Sequence, residues 1–204
     1  MNNPETDLSA LPSDQVEEAL RTMSDDPDAL SRLALASILF SHGEGVWVFE
    51  IAYQVTRMGG VARPQQLAGG IGRVDLVVAG EAFEIKSTMS IYAVRNPMHK
   101  TEDWFLPDVR KLRGSSVRGH QLITMATMLS ARNVRNFRVN RKTTDPAEWV
   151  TERDQALAIY RQYAESEDVA GVGSVRHINL GRGEVPGGLG GVQLDALLFC
   201  VHQP

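Results

Sequence analysis

The chain has one cysteine, Cys200, among 204 residues. No internal disulfide and no cysteine-built zinc site can therefore form. Cys200 lies in the apolar run Ala196 to Val201 and reads as a buried, inert thiol. No apolar run approaches the length that spans a bilayer; the richest stretch is near Leu33 to Phe40. The N-terminus is polar and acidic where a signal peptide would have a basic start and an apolar segment. These absences point to folding in the cytoplasm without a membrane partner, and they leave open delivery by a specialised secretion route. There is no internal repeat. Aromatic residues make up only 6% of the chain and form no series of the kind that stacks single-stranded bases. What is present suffices for one ordinary core: 43% of residues are hydrophobic, in a length that fits one domain with a small appendage.

The net charge of −4 argues against a protein that coats nucleic acid, but the charge is unevenly spread. Residues 1–50 hold two basic and ten acidic residues, whereas residues 95–142 hold eleven basic and three acidic. A central basic block of that size suits phosphate contacts. The alternative is a solvated surface that balances the acidic ends.

Residues 1–12 read as disordered, being polar with Pro4 and Pro12. Residues 13–43 read as a helical N-terminal extension. Ser13 is the expected cap of its first helix, and a second helix is expected from Pro27 to Ser41. Residues 44–204 form the main domain. It begins with a helix from Glu44 to Met58, ended by Gly59-Gly60. Strands follow at Arg73 to Val78 and Ala82 to Thr88. A basic, irregular segment covers Tyr92 to Gly119, and a helix is expected from Gly119 to Arg132. Phe137 and Val139 suggest a short strand. Asp145-Pro146-Ala147-Glu148 is a helix start, with that helix lasting to Glu165. A C-terminal hairpin, Ser174 to Leu180 and Val192 to Val201, flanks the turn-rich Pro186 to Gly191. That glycine cluster precedes a strand rather than a helix, so it reads as a loop and not a phosphate cradle.

The chemistry concentrates in Val74 to Thr88, VDLVVAGEAFEIKST. If Ala79-Gly80 is a two-residue turn, Val78 pairs with Glu81 and Asp75 falls opposite Glu84. Side chains alternate along a strand, so Val74, Leu76, Val78, Phe83 and Ile85 share the core face. Asp75, Glu84 and Lys86 share the other. Opposed carboxylates roughly 5 Å apart destabilise a sheet and raise one pKa. A hard divalent cation removes that cost, because magnesium takes oxygen ligands and retains waters. The backbone carbonyl of Ile85 adds another oxygen. Lys86 on the same face can orient or deprotonate a water, or neutralise charge on a phosphate. The alternative is a solvent-facing hairpin with a surface salt bridge to Lys86.

Asp75 followed by Glu84-Ile85-Lys86 resembles the core motif of the PD-(D/E)XK nuclease superfamily. The resemblance covers residues 44–140, with Val74 where the family has proline. It implies a restriction-endonuclease-like αβββαβ core: an α/β domain whose central mixed sheet is flanked by helices. It implies phosphodiester hydrolysis, with DNA as the expected substrate, and Mg2+ or Mn2+ held by Asp75, Glu84 and the Ile85 carbonyl. The family often adds an acid on the first helix. Glu50, alone among Trp47, Phe49, Ile51 and Tyr53, is the candidate for a metal-supporting carboxylate; the alternative is a helix-edge position with access to water. Some relatives carry a glutamine on the helix after the motif, which makes Gln121 a candidate. Arg110, Lys111, Arg113, Arg118, His120, Arg135 and Arg138 are candidate nucleic-acid contacts. Many relatives act as dimers, so a homodimer is a further expectation. Two rival readings remain: a nucleic-acid-binding module of the same fold without hydrolysis, and an adaptor in which the hairpin is purely structural.

Overall fold

A computed structural model describes residues 11–39, 43–95, 103, 105–129, 146–166, 175–187 and 190–201. Three helices come first: α1 (Pro12–Ser24), α2 (Pro27–Leu39) and α3 (Glu44–Arg57). A meander follows, of β1 (Ala62–Pro64), β2 (Leu76–Val78) and β3 (Glu81–Met89). Then come α4 (Ser90–Arg95), α5 (Leu106–Arg113), β4 (Gly119–Met128), α6 (Pro146–Ala164), β5 (Arg176–Val185) and β6 (Gly190–Cys200). The six strands form one sheet in the order β1-β2-β3-β4-β6-β5. Among the described residues, only β3 and β4 pair in parallel. The parallel pair needs a crossover, which α4 and α5 supply.

Both faces of the sheet are covered. On one face Phe83, Ile85, Leu122, Ala126, Leu194 and Leu198 pack against the apolar stripes of α1, α2 and α3. On the other, Ala82, Ile123, Leu197 and Phe199 pack against Val109 and Leu112 of α5 and Ala156, Leu157 and Tyr160 of α6. The two N-terminal helices therefore share the main core rather than sitting outside it. Contact with β5 is close: a Cβ at Gly183 would lie 2.3 Å from the Leu30 carbonyl oxygen of α2. Ser13 does not cap α1, whose first turn starts at Pro12. Instead it is buried, and its hydroxyl accepts a hydrogen bond from Arg176.

The expected helix from Gly119 to Arg132 is instead the central strand β4, and all ten of its residues are buried. A strand covered on both faces shows no apolar–polar alternation, so its apolar run resembles that of a buried helix. The segment from Tyr92 to Gly119 is not irregular throughout, because α4 runs into it and α5 lies within it. The C-terminal hairpin and the helix from Pro146 form as expected. The suggested strand at Phe137 and Val139 lies outside the described residues, as do residues 1–10 of the stretch 1–12 expected to be disordered; Pro12, at its end, instead begins α1. No described helix is long and apolar enough to cross a membrane.

Candidate active site

The hairpin has the register expected from its turn: Val78 pairs with Glu81, Val77 with Ala82 and Leu76 with Phe83. Ala79 and Gly80 both adopt positive φ, 47° and 90°, as a two-residue hairpin turn of this hand requires. β2 stops at Leu76, and Asp75 occupies the bend just before it. There the strand edge of β3 loses its backbone partner. Asp75 Oδ2 takes over by accepting the Ile85 N–H at 2.8 Å. A strand residue presents its N–H and C=O to the same edge, so the Ile85 carbonyl faces Asp75 as well. One residue of the expected core face departs from it. Val74, ahead of the bend, packs in the second core with Ala82 and Ile123.

Glu84 and Lys86 stand on the sheet face covered by α5 and α6. Glu84 is 3% exposed. Burial pushes its carboxyl up to about 8, against a bond from Lys111 and with the adjacent Asp75 carboxylate adding to the rise. Asp75 is close enough to share a hydrogen bond with it. The crowding anticipated from the register is therefore present.

Helix α5 answers this charge pattern in reverse. Asp108 and Lys111, three residues apart on one helix face, meet Lys86 and Glu84, two residues apart on one strand face. Lys86 Nζ lies 2.9 Å from Asp108 Oδ2. Lys111 Nζ donates to Glu84 Oε1 and to the Arg73 carbonyl. Burial alone would lower the Lys86 pKa, but Asp108, with smaller contributions from Glu44 and Asp75, raises it above the usual lysine value. Lys86 is therefore held as an ammonium. The lowered pKa that a water-deprotonating lysine needs is not found.

Glu50 is turned elsewhere. Arg32 of α2 grips it through two hydrogen bonds, at 3.0 and 3.3 Å. This ion pair accounts for a carboxylate among apolar neighbours without any metal. The acid of α3 whose charge reaches Lys86 is Glu44, at the start of the helix. Glu44 and Asp108 were not visible as site residues in the sequence. The signal for Asp108 was its spacing from Lys111 beside the apolar Val109 and Leu112, which reads as a helix face only if the segment is taken as helical.

The remaining candidates divide. Gln121 is the register partner of Glu84 and shares its sheet face. It is fully buried, and neither atom of its amide has a hydrogen-bond partner. It sits on β4 rather than on a helix. His120, one residue earlier, points to the opposite face, where it stacks on Phe83 and contacts Glu81 at 2.5 Å. It is 2% exposed, and burial lowers its pKa despite Glu81. A phosphate cannot reach it there, so His120 is a core residue. Arg110 and Arg118 are exposed, and Arg113 is half-buried. Arg135 and Arg138 lie outside the described residues. Cys200 is half-buried, and burial raises its thiol pKa.

Among the described residues no group of three or more histidine, cysteine, aspartate or glutamate side chains is arranged to hold a metal. The donors gathered are two carboxylates, Asp75 and Glu84, and one backbone carbonyl, Ile85. That all-oxygen set fits magnesium or manganese, which take carboxylates, carbonyls and water. No family model matches the chain, no curated protein matches its sequence, and no solved structure matches its fold.

Proposed function

We propose that the chain is a divalent-metal-dependent nuclease that hydrolyses phosphodiester bonds, with DNA as its substrate. The reading rests on one observation above the others. A buried carboxylate, Glu84, is pressed against a second, Asp75, at the point where a strand edge opens, with the Lys86 ammonium on the same face. Two acids brought together in a buried site are costly unless a cation belongs there. The order of elements gives further support. Helix α3, the β1-β2-β3 meander, the α4–α5 crossover and β4 follow the helix, three strands, helix and strand of the PD-(D/E)XK core.

Asp75, Glu84 and the Ile85 carbonyl would hold the cation. When bound, it supplies positive charge that polarises a phosphate oxygen and acidifies a water. Lys86 stays protonated and stabilises the negative charge that builds on the phosphate. Asp108 positions Lys86. Arg110 and Arg113, on the same short helix, contact flanking phosphates. Incubation of the protein with supercoiled plasmid and Mn2+ should give nicked and linear DNA. Asp75→Asn, Glu84→Gln and Lys86→Met should each abolish cutting. Equal cutting by wild type and all three variants refutes the assignment.

One observation favours a second reading. Lys111 pairs with Glu84 and Lys86 with Asp108, so four charges of the site are paired without a metal. A nucleic-acid-binding module without hydrolysis would look the same. It would shift duplex DNA on gels in the presence of Mn2+ and leave it intact.

A further inference from the structure

We infer that Lys111 is a placeholder cation: its ammonium holds Glu84 until a divalent ion takes the carboxylate pair, and the released lysine then binds a substrate phosphate. This deepens the nuclease reading and rests on it.

The geometry carries the argument. Lys111 reaches two oxygens of the same small region, the Glu84 carboxylate and the Arg73 carbonyl. Arg73 lies two residues before Asp75, so the ammonium sits among the oxygen donors that a divalent ion would use. A single positive charge there relieves part of the repulsion between Asp75 and Glu84, as a divalent ion would relieve more. A divalent ion at Glu84 would place a second cation against the Lys111 ammonium, and the outward swing of the lysine relieves that repulsion.

The side chain can leave while its helix stays. Val109 and Leu112 of α5, and Phe105 just before it, are fully buried in the second core. Moving α5 would expose all three. The Lys111 side chain is 30% exposed, and its long stem swings outward without disturbing them. Arg110, next to it on the helix, is exposed, so the solvent side of α5 carries further positive charge suited to a phosphodiester. Departure does not strip Glu84 of every donor. The unpartnered amide of Gln121 stands beside it on β4.

The test counts free Mn2+ by electron paramagnetic resonance at pH 8 in titrations of wild type, Lys111→Met, Arg110→Met and Asp75→Asn. Thermal melting confirms that each chain is folded. Lys111→Met retains the apolar stem and removes the competitor, so it should bind Mn2+ at least fivefold more tightly than wild type. Arg110→Met removes an equal charge from the same helix without touching Glu84, and its affinity should change by less than twofold. Asp75→Asn should bind no Mn2+. Binding by Lys111→Met that is no tighter than that of Arg110→Met overturns the placeholder role and leaves the nuclease reading standing. Absence of binding in both wild type and Lys111→Met overturns the nuclease reading itself.

Discussion

Asp75 accepts the main-chain N–H of Ile85 through Oδ2 at 2.8 Å, so one side chain both completes a strand edge and contributes a site carboxylate. The two roles separate by substitution. Asn at position 75 keeps an acceptor oxygen for the buried N–H, whereas Ala leaves it bare. Asp75→Ala should therefore cost about 1–3 kcal/mol of stability, the usual penalty for an unmet buried donor. Asp75→Asn should cost much less while losing the same activity. Urea denaturation of the two variants beside plasmid cleavage measures both effects.

Glu84 makes stability depend on pH in an unusual direction for an acid. Its ordinary pKa is 4.5, and burial, with the Lys111 bond opposing, pushes it to about 8 in the folded chain. Below pH 4.5 both states hold the proton. As pH rises toward 8 the unfolded chain sheds it first, so the contribution present in acid is lost through that window. Glu84→Gln has no proton to shed. It should match wild type near pH 4 and exceed it in stability at pH 9. An unchanged difference across urea titrations at pH 5, 7 and 9 would count against the buried, crowded carboxylate.

Gln121 should show a trade of stability for function. Its buried amide has no partner, and replacing such a group with an apolar one of similar shape is neutral or stabilising. Gln121→Met should melt at or above the wild-type temperature and lose nuclease activity, because Glu84 loses its polar neighbour. A variant that unfolds at lower temperature would indicate that the amide is structurally engaged.

Ala79 carries a left-handed backbone, φ 47°, at an exposed turn position. Such a conformation costs a residue with a Cβ roughly 1–2 kcal/mol, and Asn or Gly tolerates it better. Ala79→Asn should raise stability by about 0.5–1 kcal/mol, a rise in Tm of about 1–4 °C for a chain of this size. Ala79 is exposed at the turn and contributes no donor to the site, so activity should not change.

The hairpin was legible in the sequence because two independent signals agree there. The Ala79-Gly80 turn fixes the register, and period-two alternation assigns the faces. Only Val74 departs, because the bend at Asp75 breaks the alternation before β2 begins. β4 was illegible for the opposite reason: with helices on both sides, Gly119 to Met128 has no polar face to reveal a period. β1 is three residues long and ends in proline, too short for any pattern. The site was half visible. Asp75, Glu84 and Lys86 declare themselves by local spacing and Lys111 by its basic surroundings, whereas Asp108 and the pairing of Lys111 with Glu84 emerge only once α5 is folded over β3. Glu50 and Glu44 lie on the same helix, and the position of Arg32 is what ties Glu50 into an ion pair away from Lys86.

The seat of α2 on Gly183 has a temporal consequence. Leu30 and Gly183 are separated by most of the chain, yet their backbones nearly touch. The α2–β5 contact closes only when residues far apart in sequence meet, so it belongs to the slow, non-local part of folding. Until it forms, the side of α2 that faces β5 stays exposed. The acidic character of residues 1–50 gives the waiting segment a like-charged surface that discourages self-association in the interval.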